Sequence, residues 1–223
     1  MRSRDYCIIF DMDGVLADTG PIHFESWVKL SEEIGVNFTR EIFEQTFGQT
    51  SPEIVRKLVG PEPSQDQVEK WANLKEKYYR QMVADKLELL AGVLDLLKIL
   101  KKEGFKMTVG SSGPPENVDL LLKTLNIKSF FDAIITAEDV ERGKPEPDVF
   151  LIAARQSSVK PQNCLVIEDA PVGIQAAKNA GMICIALTTT HKKDELIEAD
   201  LVLEDLSSLS MQQIKDLISI NTS

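Results

Sequence analysis

Short apolar runs that stop abruptly at polar or charged residues recur along this chain, with helix-period segments between them. The first run, Cys7-Ile8-Ile9-Phe10, ends in Asp11-Met12-Asp13-Gly14. The run over 106–110 leads into Ser111-Ser112-Gly113, and the run over 133–137 precedes a loop containing Gly143-Lys144-Pro145. The run over 165–167 ends in Glu168-Asp169. A continuous apolar run of this kind reads as a strand buried on both faces, the pattern of parallel sheets covered by helices. Further strands are expected over 183–187 and 201–203. Helices are expected over 89–103, 116–125, 147–157, 172–179 and 211–220. This alternation predicts an α/β fold with a doubly wound, mostly parallel, Rossmann-like sheet. Such sheets bind ligands at the carboxyl ends of their strands, so the polar run ends are expected to converge on one edge.

The segment between the first two strands has another character. Helical periodicity covers 22–34, 41–46, 52–58 and 65–84, and loop signals such as Gly60-Pro61-Glu62-Pro63 interrupt it. An all-helical block inserted there sits over the carboxyl end of the first strand. Residues 19–88 are therefore expected to form a cap domain that excludes water and sets specificity, over a core made of 1–18 and 89–223. The alternative is a helical elaboration with no mobile role.

The 223 residues suffice for a sizeable core in one or two domains. Acidic residues outnumber basic ones, 35 to 25, and no Lys/Arg block appears, which argues against nucleic acid as a partner. An anionic substrate stays compatible, because a metal and a few local cations override the global field. Cys7, Cys164 and Cys184 lie far apart in apolar runs and read as small buried hydrophobes in a reducing compartment. No signal-peptide pattern or run of membrane-spanning length is seen, so a cytoplasmic protein without a membrane partner is expected. A monomer is expected rather than an oligomer.

Two carboxylates one residue apart at a strand end are costly unless something holds them, and a divalent cation is the usual holder. Together with Ser111, Lys144, Glu168 and Asp169 they supply what phosphoryl transfer needs. Asp11 attacks phosphorus and Asp13 moves the proton, while Ser111 donates to a phosphoryl oxygen and Lys144 offsets charge. Mg2+ is expected on oxygens of Asp11, the main-chain carbonyl of Asp13, and Asp169. Glu168 either ligates the metal, directly or through water, or holds Lys144. Each residue also has a plainer reading: Ser111 as a turn serine, Lys144 as a solvated loop lysine, Glu168-Asp169 as a helix cap.

On these motifs the chain resembles the haloacid dehalogenase superfamily of phosphohydrolases. It is most similar to the subgroup with a helical cap, which contains phosphoglycolate-type phosphatases and β-phosphoglucomutases. Asp11-Met12-Asp13-Gly14-Val15 matches the first family motif, Ser111 the second, Gly143-Lys144-Pro145 the third and Glu168-Asp169 the fourth. The resemblance implies a Mg2+-dependent phosphatase that acts on a small phosphorylated metabolite through an aspartyl-phosphate. Two aspartates in the first motif argue against dehalogenation. The runner-up is a phosphosugar mutase. Alternatives of another class are a phospho-accepting signalling module, against which the early position of Asp11 argues, and a non-catalytic binding protein.

His23 and Trp27 share a helix face and match residues on the cap side of the site in β-phosphoglucomutases. Gln49 and Thr50 fall in the loop that faces substrate in the family, and Ser112 follows the second-motif serine. Mutases carry an arginine near the position of Ser51 to grip a second phosphate. Without it, only residues such as Arg56, Lys75 or Lys77 are left for that task. His191 reads as a solvated loop residue, with the site rim as its alternative.

Overall fold

The computed structural model describes residues 3–83 and 87–221. Six strands form one sheet: β1 (Cys7–Phe10), β2 (Lys106–Gly110), β3 (Ala133–Ile135), β4 (Cys164–Glu168), β5 (Ile183–Leu187) and β6 (Leu201–Leu203). Their order is β3-β2-β1-β4-β5-β6, and every ladder between them is parallel. The sheet therefore reverses direction of growth at β1 and β4, the place where doubly wound sheets open a binding crevice.

All four residues of β1 are fully buried, because alternate side chains serve opposite layers. Ile8 and Phe10 join Met107, Val109, Leu165 and Ile167 on one face. That face is covered by α5 (Val93–Glu103), α6 (Pro115–Thr124) and α9 (Met211–Asn221). Cys7 and Ile9 join Cys164, Val166 and Cys184 on the other, under α7 (Asp148–Gln156) and α8 (Pro171–Asn179). Each aliphatic side chain so buried stabilises the sheet by about 1.5–3 kcal/mol. The three cysteines are buried and form no disulfide.

Between β1 and α5 lie α1 (Gly20–Ile34), α2 (Arg40–Thr46), α3 (Ser51–Val59) and α4 (Gln65–Val83). They surround an apolar cluster of their own that includes Trp27, Leu30, Phe43, Ile54, Val55 and Ala72. The Thr50 main-chain N–H and hydroxyl both donate to Glu53, at 2.9 and 2.7 Å, which fixes the start of α3. The expected helix over 65–84 is α4, with position 84 outside the described residues. The helix expected from 89 begins only at Val93. Leu89 instead bridges Ala17 in antiparallel fashion, and the Leu90 N–H donates to the Leu16 carbonyl at 3.1 Å. The outgoing and returning chains thus run side by side. Among the described residues, no helix is long and apolar enough to cross a membrane.

Candidate active site

The parallel register brings Asp11, Ser111, Glu168 and Asp169 to one sheet edge. Phe10 pairs with Val109 on one side and Ile167 on the other, so each chain leaves the sheet at the same level. The Asp11 N–H donates to the Ile167 carbonyl, continuing the ladder one residue past β1. Lys144 arrives from the loop before α7. Its Nζ donates to Asp11 Oδ1 and to Glu168 Oε1, both at 2.5 Å. Glu168 Oε2 accepts the main-chain N–H groups of Asp169 and Ala170 at 2.7 and 2.9 Å. Glu168 thus holds Lys144 and fixes the turn that leads into α8; the helix-cap reading fails, because the N–H groups it accepts precede the first helical residue, Pro171.

Two glycines make room for this arrangement. A Cβ on Gly14 would lie 1.9 Å from Asp169 Oδ2, and Gly14 has a φ of +75°. A Cβ on Gly173 would lie 1.7 Å from Glu168 Oε1. Either side chain would displace a carboxylate of the cluster.

Asp11, Glu168 and Asp169 are all buried, and one ligand atom from each lies within 4.8 Å of the others. Three carboxylates face one ammonium there. Burial, with Lys144 opposing and Glu168 and Asp13 adding repulsion, pushes Asp11 up to about 7. Burial and the neighbouring Glu168 and Asp11 charges push Asp169 well above the usual carboxylate range. Burial disfavours the Lys144 ammonium, but Asp11 and Glu168 outweigh it and hold its pKa above the ordinary lysine value. An all-oxygen donor set with surplus negative charge fits a hard divalent cation.

Asp13 belongs to a second set. Its Oδ1 accepts from the Thr19 hydroxyl at 2.5 Å and from His23 Nε2 at 3.2 Å. Lys75 Nζ donates to His23 Nδ1 at 2.7 Å and to Glu76 Oε1 at 3.0 Å. His23 stacks on Tyr79 at 4.0 Å between ring centroids, and Lys75 lies over the Trp27 ring. Burial works against the Asp13 carboxylate, yet His23 and Thr19 hold its pKa below the ordinary value. The side chain of Asp13 is therefore committed to the helical layer and lies outside the three-carboxylate cluster.

The remaining sequence candidates divide. Trp27, Gln49 and Ser112 line a cavity of about 50 Å³ with Asp11, Asp13 and His23. Thr50 does not reach it and lines the adjoining cleft. Ser111 is buried, and its Oγ accepts the Gly113 N–H at 3.0 Å, the turn contact that its plainer reading implied. The cations considered for a second phosphate are engaged or exposed. Arg56 donates to the carbonyl of Pro63 at 2.7 Å, Lys75 is buried on His23 and Glu76, and Lys77 is exposed.

The expectation that His191 is solvated fails. It is buried, with Nδ1 at 3.1 Å from the Asp169 carbonyl and Nε2 at 3.2 Å from the Glu44 carbonyl, so it bridges the sheet edge to α2. Burial follows because the loop after β5 packs on the carboxyl end of β4. Thr189 of that loop donates to the Gly14 carbonyl and Thr190 to the Asp169 carboxylate. Sequence reasoning missed Thr19, Thr190, Glu76 and Asn117. For Glu76 a signal exists: positions 68, 72, 75, 76, 79 and 83 share one helical stripe, and all are buried.

Comparison with known proteins agrees with this geometry. A family model described as haloacid dehalogenase-like hydrolase matches residues 8–187. The chain is 35% identical to a β-phosphoglucomutase of Bacillus subtilis (strain 168), over 94% of this chain and 93% of that one. It is 32% identical to a validoxylamine A 7'-phosphate phosphatase of Streptomyces hygroscopicus subsp. limoneus, over 92% and 96%. The crystal structure of a β-phosphoglucomutase from Clostridium difficile superposes with a TM-score of 0.89 at 27% identity, covering 97% of this chain and 98% of that one. With its sheet order, its converging strand ends and these matches over most of its length, the chain belongs to the haloacid dehalogenase-like hydrolase family.

Proposed function

We propose that this protein is a Mg2+-dependent phosphatase that hydrolyses a small phosphomonoester through an aspartyl-phosphate, with residues 19–88 acting as its cap. The observation that carries the reading is the division of the two first-motif aspartates. Asp11 is tied to Lys144 on the core side, and Asp13 to Thr19 and His23 on the helical side. This division supports a reading in which one carboxylate attacks and the other moves protons.

Asp11 attacks phosphorus, and the bond from phosphorus to the ester oxygen breaks. Asp13 gives that oxygen a proton. The resting Asp13 is a carboxylate, and the arriving dianionic phosphate raises its pKa. The line Lys75–His23–Asp13 supplies a proton path, with Nδ1 taking a proton as the Nε2 proton passes to Asp13. Asp13, again a carboxylate, then takes a proton from the water that attacks phosphorus, the bond from phosphorus to Asp11 breaks, and the proton returns through His23 to Lys75, which restores the starting state. Lys144 balances charge on Asp11, and Ser111 donates to a phosphoryl oxygen. Asp11, Asp169 and the Asp13 carbonyl would hold Mg2+, which supplies charge neutralisation for the transferring group.

The test is phosphate release from a panel of phosphate esters, with and without EDTA, against Asp11→Asn. Release that survives EDTA or the substitution sinks the mechanism. The similarity to a named β-phosphoglucomutase favours a second reading, in which a sugar hydroxyl replaces water. Conversion of β-glucose 1-phosphate to glucose 6-phosphate faster than phosphate release would support it.

A further inference from the structure

The cavity beside Asp11 has a volume of about 50 Å³, room for little more than a phosphoryl group. A larger cleft of about 730 Å³ lies next to it, between α3, α4 and the loop that carries Lys144. The two share three wall residues: Ser51, Glu76 and Ser112. A smaller neighbouring hollow meets the inner cavity only through the Phe43 and Phe47 rings. The polar remainder of an ester that extends from Asp11 into the larger cleft passes Ser51, Glu76 and Ser112.

Glu76 is buried at this neck and fixed from three directions. Its Oε1 accepts from Lys75 and from the Ser51 hydroxyl, and its Oε2 from Asn117 Nδ2 at 2.5 Å. Arg80, one turn further along α4, donates to the same Asn117 amide at 2.8 Å. The amide of a core helix is thus clamped between a carboxylate and a guanidinium of α4, and the carboxylate cannot swing away. Burial opposes its charge, but Lys75 and the other partners hold its pKa below the ordinary value, so it is ionised. The cations nearby are committed: Lys75 to His23 and Glu76, and Arg142 of the outer cleft to Asp148 at 2.8 Å and Glu146 at 3.1 Å. A second phosphate at the neck would meet a fixed negative charge, whereas a hydroxyl would meet an acceptor.

We propose that Glu76 is a specificity-determining residue: it restricts the site to singly phosphorylated, polyhydroxylated substrates and rejects bisphosphates. The proposal rests on the phosphatase reading above and adds a rule about charge at the far end of the substrate.

The experiment measures kcat/KM for phosphate release from sugar and polyol monophosphates, each paired with its bisphosphate, such as fructose 1-phosphate and fructose 1,6-bisphosphate. The wild type is expected to favour the monophosphate of each pair by about tenfold or more. Glu76→Gln is expected to shrink that ratio, and Ser51→Arg, which sets a cation beside the carboxylate, to shrink it further. A merely structural role for Glu76 would lower both members of a pair alike and leave the ratio unmoved. Equal wild-type rates within the pairs overturn the proposal, and this arm needs no variant to fold. A ratio unchanged in both soluble variants overturns it as well. Absence of release from every ester removes the phosphatase reading itself, a distinct outcome.

Discussion

The two carboxylates of Asp11 and Asp13 stand one residue apart but face opposite kinds of surroundings. On the core side, Asp11, Glu168 and Asp169 share a single ammonium, and charge is left over. On the helical side, Asp13, His23, Lys75, Glu76 and Asn117 form an unbroken hydrogen-bonded line in which each carboxylate has a donor beside it. The first region carries surplus negative charge on oxygens, a donor set that fits a hard divalent cation. The second is complete and is built to keep its shape. Unbalanced charge thus marks the side proposed for the nucleophile, and satisfied charge the side proposed to hold and reprotonate Asp13.

The largest effect that tests this contrast is on Asp11. Asp11→Asn keeps the shape but removes the nucleophile, and kcat for phosphate release is expected to fall by roughly four orders of magnitude. Asp13→Asn is expected to cost about 10²–10⁴-fold, and it flattens the pH–rate profile on the limb that this group controls. Equal and complete losses in both would break the proposed division of labour. EDTA is expected to abolish activity, and Mg2+ to restore it.

Stability separates the two sides in the opposite sense. Lys144→Ala leaves the core carboxylates without their ammonium and is expected to lower unfolding free energy in urea by about 3–5 kcal/mol in metal-free buffer. Added Mg2+ should recover part of that loss. Asn117→Ala removes one partner each from Glu76 and Arg80, and about 1–3 kcal/mol is expected in thermal or urea unfolding, with no recovery on adding Mg2+. A Mg2+ rescue of Asn117→Ala would join regions that are held here to be separate.

The smallest effect is a pH dependence. The folded-state pKa of Glu76 lies below the ordinary value of 4.5. Its ionic contribution is therefore in place above that value and lost as pH falls through the folded pKa. The stability gap between wild type and Glu76→Gln should be constant near neutrality and close on acidification. A gap that widens in acid would reverse the sign.

The core side was largely legible in the sequence, because short apolar runs with polar ends, alternating with helix-period segments, read as strands of a parallel sheet, whose carboxyl ends meet at one edge. Lys144 lies 133 positions from Asp11, yet the topology delivers it. The helical side was legible at His23 and Trp27 and little further. Lys75-Glu76-Lys77 is uniformly charged; the stripe of buried positions along α4 takes in the first two, Lys75 against His23 and Trp27 of α1 and Glu76 against Asn117 of α6. Thr19 and Asn117 are ordinary polar residues until folding puts a carboxylate beside each. His191 was misread for the same reason: its partners are main-chain carbonyls, which no side-chain pattern announces.

The Ala17–Leu89 bridge and the Leu90–Leu16 hydrogen bond bring the two ends of the helical segment together. Topologically the segment is a long loop closed at its base, so its removal or exchange asks little of β1 or α5. The residues proposed for bond breaking lie almost all outside that loop, and Glu76 lies within it. A lineage, or an engineer, can therefore trade one loop for another of different length and composition and keep Asp11 and its carboxylate cluster, provided the new loop supplies partners for Asp13 in place of His23 and Lys75. Diversification of what is hydrolysed and preservation of how become problems for different stretches of chain, joined at Asp13.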